Sequence, residues 1–312
     1  MDKNSKIYVA GHKGLVGSAL MRHLTAQGYN NLTYRTHQEL DLIRQDATEA
    51  FFHQEKPDVV FLAAARVGGI LANETYQADF IYENLVVQAN VLESAQKNGV
   101  KELLFMGSSC IYPNDKSVAI KESDFMNGPL EATNDAYAIA KIAGIKACDA
   151  YRRQYGVRYI AVMPTNLYGP NDNYDLKDAH VLPSLMRKFH EAKVGNSPTV
   201  VMWGSGTPKR EFLHVDDLAD ACLHILQNYK STDMINIGCG EDLTIRELGE
   251  LIAKTVGYQG KIVLDNTKKD GTMRKLLDVS RIKALGWAPK IGLEEGLKRT
   301  YQDMQQELKI NS

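Results

Sequence analysis

The chain has 312 residues, and its 37 Lys and Arg side chains nearly balance its 38 Asp and Glu side chains, leaving a formal net charge of −1. This balance argues against a nucleic-acid or other polyanion binder, because such proteins depend on an excess of basic charge. The length suffices for a large core, in one domain or in one domain with a smaller appendage.

Short β-rich runs alternate with helical patterns through the first half of the chain. In order they are a strand at 6–11, a helix at 15–28, a strand at 31–35, a helix ending near 55, a strand at 57–65, a helix at 77–98, a strand at 102–109, a helix at 135–155 and a strand at 157–165. Strict alternation predicts right-handed crossovers and an α/β fold with a Rossmann-type, doubly wound parallel sheet.

The alternation is less regular after about residue 170. A polar loop is followed by a helix at 181–195, a strand at 199–203, a helix at 214–229, a strand at 233–238, two further helices and a polar loop at 265–278. We expect a nucleotide-binding domain over 1–170, to which segments near 212–240 return. The remainder of 171–312 is expected to form a smaller substrate-binding lobe.

Export and metal signals are missing from the sequence. The first apolar run is too short for a secretory signal, and no uncharged stretch approaches the roughly 20 apolar residues that cross a membrane. The cysteines, at Cys110, Cys148, Cys222 and Cys239, form no C-x-x-C pair, so neither zinc nor a disulfide framework is indicated. We expect a cytoplasmic protein without a metal, in which the last three cysteines are packing residues.

Three glycines follow the first predicted strand. In the stretch VAGHKGLVGSAL, Gly11, Gly14 and Gly17 have the spacing G-x-x-G-x-x-G. The helix that follows offers N–H groups and a positive dipole end to a pyrophosphate. A tight turn without a ligand is the alternative, but the strand before and the helix after favour a bound dinucleotide.

The residues after the second predicted strand bear on which dinucleotide binds. NAD sites usually place Asp or Glu there to hold a ribose hydroxyl, whereas this chain has Arg35 and His37, with Lys13 in the glycine loop. Cations beside this ribose favour a 2′-phosphate, so the sequence favours NADP over NAD. The alternative is that Arg35 and His37 simply face solvent, and Asp41 would suit an adenine contact with either cofactor.

Tyr137 and Lys141 lie four residues apart in a predicted helix, and therefore on one of its faces. A tyrosine with a pKa of about 10 is a poor acid–base group at pH 7, and we expect the Lys141 ammonium to lower that pKa. Ser108 is predicted at the end of a parallel strand, where open α/β sheets bind ligands. A tyrosine–lysine pair alone is common on helices, but with the glycine loop and Ser108 it forms a specific constellation.

The order of these motifs resembles that of the extended short-chain dehydrogenase/reductase superfamily, whose members act mostly on nucleotide sugars. The motifs are the glycine loop, LAAARVGG, GSS, YAIAK, PTNLYGP and, at 210–221, REFLHVDDLADA. More narrowly, GSSCIYP, WGSGTPKREFLHVDD and DGTMRKLLDV are similar to the branch that epimerises and reduces GDP-linked 4-keto-6-deoxy sugars. The resemblance covers essentially the whole chain.

The resemblance implies epimerisation of GDP-4-keto-6-deoxy-mannose at C3 and C5, then NADPH-dependent reduction at C4. Inverting a carbon needs a base on one face and an acid on the other, and the resemblance assigns Cys110 as base and His180 as acid. Side chains two residues apart in a strand share one side, so we expect Cys110 to accompany Ser108 into the cleft. Without the resemblance, Cys110 would more often be a packing residue and His180 a cap or surface residue.

The resemblance also implies two sets of binding residues. The cofactor set is Gly11, Lys13, Gly14, Leu15, Val16, Gly17, Arg35, His37, Asp41, Leu42, Ala64, Tyr137, Lys141, Pro164, Asn166, Leu167 and His180. The substrate set is Ser108, Asn166, Lys188, Trp203, Arg210, Asp270 and Lys275. Lys188 would equally suit a solvated helix face, and Trp203 a core position. Lys13 and His37 stand where close relatives are expected to have arginine, which weakens the argument for NADP.

The helices predicted over 77–98 and 135–155 are apolar on more than one face, which is typical of helices buried on several sides. Members of the superfamily often pair these helices across a two-fold axis. We therefore expect a homodimer.

Two other functions fit parts of the sequence. Another nucleotide-sugar enzyme, a 4-epimerase or a 4,6-dehydratase, would share the fold, but the dehydratase would have an acidic pair where this chain has Cys110 and Ile111. A non-catalytic NADP-binding sensor would be indicated by the loss of Tyr137 or Lys141, and both are present.

Overall fold

A computed structural model describes residues 1–114, 118–176, 178–268 and 270–308 of the chain. The first half contains β1 (Ile7–Ala10), α1 (Leu15–Ala26), β2 (Leu32–Thr33), α2 (Gln45–Glu55), β3 (Val59–Leu62), α3 (Ile70–Thr75), α4 (Gln77–Lys97), β4 (Glu102–Met106), α5 (Asp135–Tyr155) and β5 (Arg158–Pro164). The second half contains β6 (Asn166–Tyr168), α6 (Val181–Val194), β7 (Thr199–Trp203), β8 (Lys209–Arg210), β9 (Phe212–His214), α7 (Val215–Asn228), β10 (Ile235–Ile237), β11 (Leu243–Thr244), α8 (Ile245–Val256), β12 (Lys261–Asp265), β13 (Arg274–Lys275), α9 (Ser280–Ala284) and α10 (Leu293–Glu307).

The central sheet is parallel. Within the described ranges six strands form it, in the order β10–β5–β4–β3–β1–β2. The chain places β2 on one side of β1 and β3 on the other, so the switch point, where such sheets bind ligands, lies between β1 and β3. The prediction of a Rossmann-type doubly wound sheet is confirmed, and the strand predicted at 233–238 joins the sheet as β10.

Buried apolar side chains form two clusters. The larger one fills the space between the central sheet and its helices, around residues such as Phe61, Leu104 and Ile160. The smaller one packs α6 and α8 around Phe189 and Met202. No helix among the described residues is long and apolar enough to cross a lipid bilayer.

The C-terminal part departs from the prediction in two respects. Among the described residues three helices, α8, α9 and α10, follow β10 instead of two. The predicted polar loop contains β13, which pairs with β8, and β8 in turn pairs with β11. Strands of two residues have no detectable periodicity, and only their distant partners define them.

One buried carboxyl group lies in the loop between β6 and α6. Asp172 exposes 6% of its surface, and its Oδ1 accepts the Asn173 N–H at 2.8 Å. Its Oδ2 accepts no hydrogen bond from the part of the chain that the structure describes. Burial, aided by Glu307 and Asp303, raises the pKa of Asp172 to about 7. Because the folded state binds this proton more tightly than the unfolded state, the contribution of Asp172 to stability is lost as the pH rises from about 4 to above 7.

The substitution Asp172→Asn keeps the shape of the side chain and removes its titration. When the pH is raised from 5 to 8, we expect the difference in unfolding free energy between the two proteins to shift by about 2 kcal/mol in favour of the variant. Urea unfolding of both proteins at the two pH values, followed by circular dichroism, measures this change. A stability difference that is the same at both pH values would contradict the raised pKa.

Candidate active site

The glycine loop joins β1 to α1 at the switch point of the sheet. Gly11 has a φ of +83°, and a Cβ there would lie 2.8 Å from the backbone nitrogen of Ala64, which follows β3. A Cβ on Gly17 would overlap the carbonyl oxygen of Gly11. Both positions therefore require glycine, and the loop stays close against the sheet.

The N-terminus of α1 provides an open cradle. Gly14 is the N-cap residue and is exposed, and Leu15, Val16 and Gly17 form the first turn. N–H groups of a first helical turn have no partner inside the helix, and no acidic side chain lies in this turn. The absence of acidic side chains and the positive end of the helix fit a dinucleotide pyrophosphate.

The predicted cations lie near the end of β2. Arg35 donates to Oε1 of Glu55 at 2.6 Å, and Nδ1 of His37 lies 3.8 Å from Oδ1 of Asp41. Lys13 is exposed, and like Arg35 it lies within electrostatic range of the Glu39 carboxylate. The Glu55 carboxylate thus fixes Arg35 near the end of β2, whereas the His37 side chain is exposed beside Asp41.

The remaining predicted cofactor residues lie in the main core or in and next to strands. Leu42 is buried in the main core, Pro164 ends β5, and Leu167 lies in β6. Asn166 was expected to face the sugar, but its Nδ2 donates to the carbonyl oxygen of Glu211 at 2.9 Å. Its amide nitrogen is therefore used within the protein.

Tyr137 and Lys141 extend from α5 towards the end of β4. The Tyr137 hydroxyl hydrogen-bonds with Ser108, and Nζ of Lys141 donates to the carbonyl oxygen of Met106 at 2.7 Å. The prediction that Lys141 lowers the pKa of Tyr137 is wrong for the protein alone, since burial raises the pKa of Tyr137. Burial also lowers the pKa of Lys141 to about 8. The low-dielectric surroundings disfavour the charged form of each group.

Ser108 and Cys110 come together by a different route from the one predicted. β4 ends at Met106, and after Ser108 the chain forms a 3₁₀ turn over Ser109–Ile111. The extended backbone predicted through residue 109 is therefore wrong. The Cys110 N–H donates to Oγ of Ser108 at 3.2 Å, and Cys110 lies within electrostatic range of Tyr137.

Cys110 lies among polar and cationic groups from both halves of the chain. Nδ2 of Asn134 donates to its Sγ at 3.3 Å, and Nζ of Lys275 lies 3.8 Å from the same atom. Arg210 is paired in register with Lys275 on the neighbouring strand. Burial lowers the pKa of Arg210, and the nearby Cys110 and Glu131 oppose that shift. Two predicted substrate contacts therefore lie beside the predicted base.

His180 is the N-cap residue of α6. The preceding turn is held by the Gly69 N–H, which donates to the carbonyl oxygen of Asp178 at 2.8 Å. Gly68 lies between Asp178 and Phe80, and the Phe80 ring packs edge-on to Tyr137 with centroids 6.3 Å apart. The His180 side chain is exposed, yet the surrounding protein removes part of its hydration and lowers the pKa of His180. The free protein thus holds it mainly neutral at pH 7.

The other predicted substrate residues lie around β7. Trp203 is 59% exposed, which excludes the core position, and Nζ of Lys188 lies 4.9 Å from its ring centroid. Lys268 lies 5.4 Å from the same ring. Asp270 accepts the Ser205 N–H at 3.0 Å and the Ser205 hydroxyl at 2.7 Å. Asp270 therefore anchors the turn after β7.

Sequence reasoning missed three polar residues of this region. Asn134 contacts Cys110, Oε2 of Glu131 accepts a hydrogen bond from Thr272 at 2.8 Å, and Glu211 is fully buried. For Glu211 a signal was available, because it follows Arg210 in the REFLHVDD motif. Glu131 and Asn134 lie in a polar segment before α5 that has no periodic pattern.

The other cysteines have no comparable surroundings. Cys148 and Cys222 are buried, as predicted for packing residues, and burial raises the pKa of Cys148 to about 12. Cys239 is partly exposed, and all four cysteines are free. Within the described ranges, no group of three or more His, Cys, Asp or Glu side chains could hold a metal ion.

Comparison with known proteins gives matches over most of the chain. The model of the NAD dependent epimerase/dehydratase family matches residues 7–238. GDP-L-fucose synthase 1 of Arabidopsis thaliana is 59% identical over 300 residues, which cover 96% of this chain and 93% of that protein. GDP-L-fucose synthase of Escherichia coli (strain K12) is 53% identical and covers 95% of both chains. A solved GDP-L-fucose synthetase from Naegleria fowleri bound to NADP has a TM-score of 0.91 at 27% identity, covering 99% of this chain and 97% of that one.

These matches include the elements that build the site. The family match runs from β1 to the residue after β10, and so includes the glycine loop, Ser108, Tyr137 and Lys141. The two enzyme relatives also extend over the C-terminal lobe, since each covers at least 95% of the chain. The chain therefore belongs to the NAD dependent epimerase/dehydratase family and, within it, to the GDP-L-fucose synthases.

Proposed function

We propose that this chain converts GDP-4-keto-6-deoxy-D-mannose to GDP-L-fucose, by epimerisation at C3 and C5 and NADPH-dependent reduction at C4. The observation that carries the proposal is Cys110 beside the hydrogen-bonded pair Ser108 and Tyr137. A simple ketoreductase needs the pair but not the thiol. Relatives named GDP-L-fucose synthase, at 53% identity or more, support this substrate and product.

The epimerisations depend on the acidity of protons next to the C4 ketone. Sγ of Cys110 removes a proton from the ring carbon, and the electron pair of the broken C–H bond moves to the C4 oxygen. Ser108 and Tyr137 donate hydrogen bonds to that oxygen as its negative charge develops. His180, after taking up a proton from solvent, gives that proton to the opposite face of the carbon. The lowered pKa of His180 makes the protonated ring a strong donor.

The reduction uses the same oxygen site. When bound, NADPH supplies the hydride for C4. The first turn of α1 would hold the pyrophosphate, and Lys13, Arg35 and His37 would hold the 2′-phosphate. Tyr137 gives its proton to the C4 oxygen, and the Lys141 ammonium stabilises the phenolate that remains. One set of donors thus stabilises the enolate and completes the alcohol.

The substrate is held between two lobes. Residues 1–170, with segments near 212–240, form the cofactor domain, and 171–312 form mainly the substrate lobe. Lys188 and Arg210 bind the diphosphate, and the exposed ring of Trp203 is available to stack on the guanine of the GDP-sugar. A free thiol base requires a reducing compartment, which supports a cytoplasmic location.

A homodimer formed through α4 and α5 is the proposed assembly. These helices pack against each other, and the Gln88 side chain donates to the Ala140 carbonyl oxygen at 2.7 Å. Large apolar side chains remain exposed on both helices, with Tyr82 at 58% and Ile139 at 45%. Burial of this surface against a second copy would remove the cost of its exposure.

The activity can be tested directly. With NADPH and GDP-4-keto-6-deoxy-mannose, the wild type is expected to oxidise NADPH and release GDP-L-fucose, followed by absorbance at 340 nm and by NMR of the product. Tyr137→Phe lacks the proton donor and should turn over at least about 100-fold more slowly. The proposed function fails if the wild type leaves NADPH unconsumed.

Cys110→Ser should separate the two reactions. The serine hydroxyl is a far weaker base than a thiolate, so we expect solvent deuterium incorporation at C3 and C5 to fall by about 100-fold or more. NADPH binding, measured by fluorescence, should stay unchanged. Deuterium incorporation at the wild-type rate would show that Cys110 is not the base.

The assembly has its own test. Ile139→Lys places a charge on the exposed apolar face, and we expect a largely monomeric protein by light scattering, whereas the wild type is a dimer. Lys298→Glu, at an exposed position on α10 outside the proposed interface, serves as the control for an added charge change. A wild-type protein that is monomeric at micromolar concentration would contradict the proposal.

A further inference from the structure

We propose that Lys275 and Asn134 stabilise the thiolate form of Cys110 in the free enzyme, before the substrate arrives. The inference rests on the proposed function for the role of Cys110 as base. It assigns Lys275 to the reacting sulfur, where the sequence had indicated only a contact with the substrate.

Lys275 brings a positive charge to the sulfur from the other half of the chain. Its Nζ lies 3.8 Å from Sγ of Cys110 in a partly buried contact. Partial burial matters, because charges shielded from water and salt interact more strongly than charges on the surface. Arg210, in register with Lys275 on β8, adds a second cation within electrostatic range of the sulfur.

Asn134 donates a hydrogen bond to the sulfur of Cys110 instead of capping α5. It is the N-cap residue of α5, where asparagine normally accepts an N–H of the first helical turn. Here its side chain makes no such capping bond within the described chain, and its buried Oδ1 has no partner there. Its Nδ2 donates instead to Sγ at 3.3 Å. A thiolate accepts such a bond more strongly than a neutral thiol.

The segment that carries Lys275 is fixed on both sides of this residue. Oγ1 of Thr272 donates to Oε2 of Glu131 at 2.8 Å, three residues before Asn134. The Leu277 N–H donates to Oε2 of Glu211 at 3.1 Å. Glu131 is also a carboxylate near Arg210, and one of its oxygens accepts the hydrogen bond from Thr272. These bonds position the ammonium at the sulfur without any ligand.

A stabilised thiolate form suits a base that acts more than once in a turnover. Each proton transfer from carbon breaks a C–H bond, forms an S–H bond and leaves the electron pair on the C4 oxygen. The thiol must then release that proton to solvent before the next carbon can be inverted. A cation beside the sulfur favours this release, because it stabilises the charged product.

The rate of alkylation by iodoacetamide reports the thiolate directly. We would treat the free protein, without NADPH or substrate, at pH 7 and measure the modification of Cys110 by peptide mass spectrometry. Lys275→Met should react about tenfold more slowly than the wild type. Lys275→Arg keeps the charge and should retain most of the rate. Lys209→Met removes an exposed cation from the neighbouring strand, and should react like the wild type.

Two outcomes would overturn the proposal. Lys275→Met that alkylates at the wild-type rate, with a raised KM for the GDP-sugar, would make Lys275 a substrate contact only. If Lys275→Met does not fold, as judged by NADPH binding, Asn134→Ala decides, and an unchanged alkylation rate in that variant refutes the proposal. Because the assay contains no substrate, a failure of the proposed function would appear separately, as absent turnover with alkylation unaffected.

Discussion

The buried carboxylate of Glu211 joins segments that lie far apart in the chain. Its side chain accepts the N–H of Gly240 at 2.6 Å and of Leu277 at 3.1 Å, while its own carbonyl oxygen accepts from Asn166 at 2.9 Å. Burial raises the pKa of Glu211, so its charge is tolerable only while these donors stay in place. The segment that carries Lys275 is thereby tied to the carboxyl end of the main sheet, where the candidate site lies.

The two reactions depend on differently prepared groups. Burial raises the pKa of Tyr137 and keeps it protonated, whereas Lys141, with a pKa lowered to about 8, remains mostly an ammonium at pH 7. In the proposed mechanism, Tyr137 would give up its proton only to a bound substrate. Cys110, by contrast, has an ammonium and an amide donor already in place. In the proposed mechanism the fold thus prepares the epimerising base, whereas the bound ligands would prepare the reducing acid.

Sequence reasoning succeeded where the pattern is local. The helix predicted over 135–155 coincides with α5, and the glycine spacing located the crevice beside Ala64. It failed at the scale of two or three residues. The apolar run before Gly107 indicates a strand but not where the backbone turns, so the 3₁₀ turn at Ser109–Ile111 was missed. β13 was missed too, because its two residues are a strand only by virtue of β8, far away in the chain.

The same limit explains why a motif identifies the base but not its environment. The stretch GSSC contains Cys110, yet the groups at its sulfur come from the segment before α5 and from β13. Ser108 and Tyr137 would serve a ketoreductase equally well, since such an enzyme needs donors only at one oxygen. An added base and an added acid, one on each face of the ring, are enough to make that oxygen site an epimerase as well. Because the cation at the sulfur comes from β13, the C-terminal part of the chain would contribute to the proposed chemistry and not only to substrate binding.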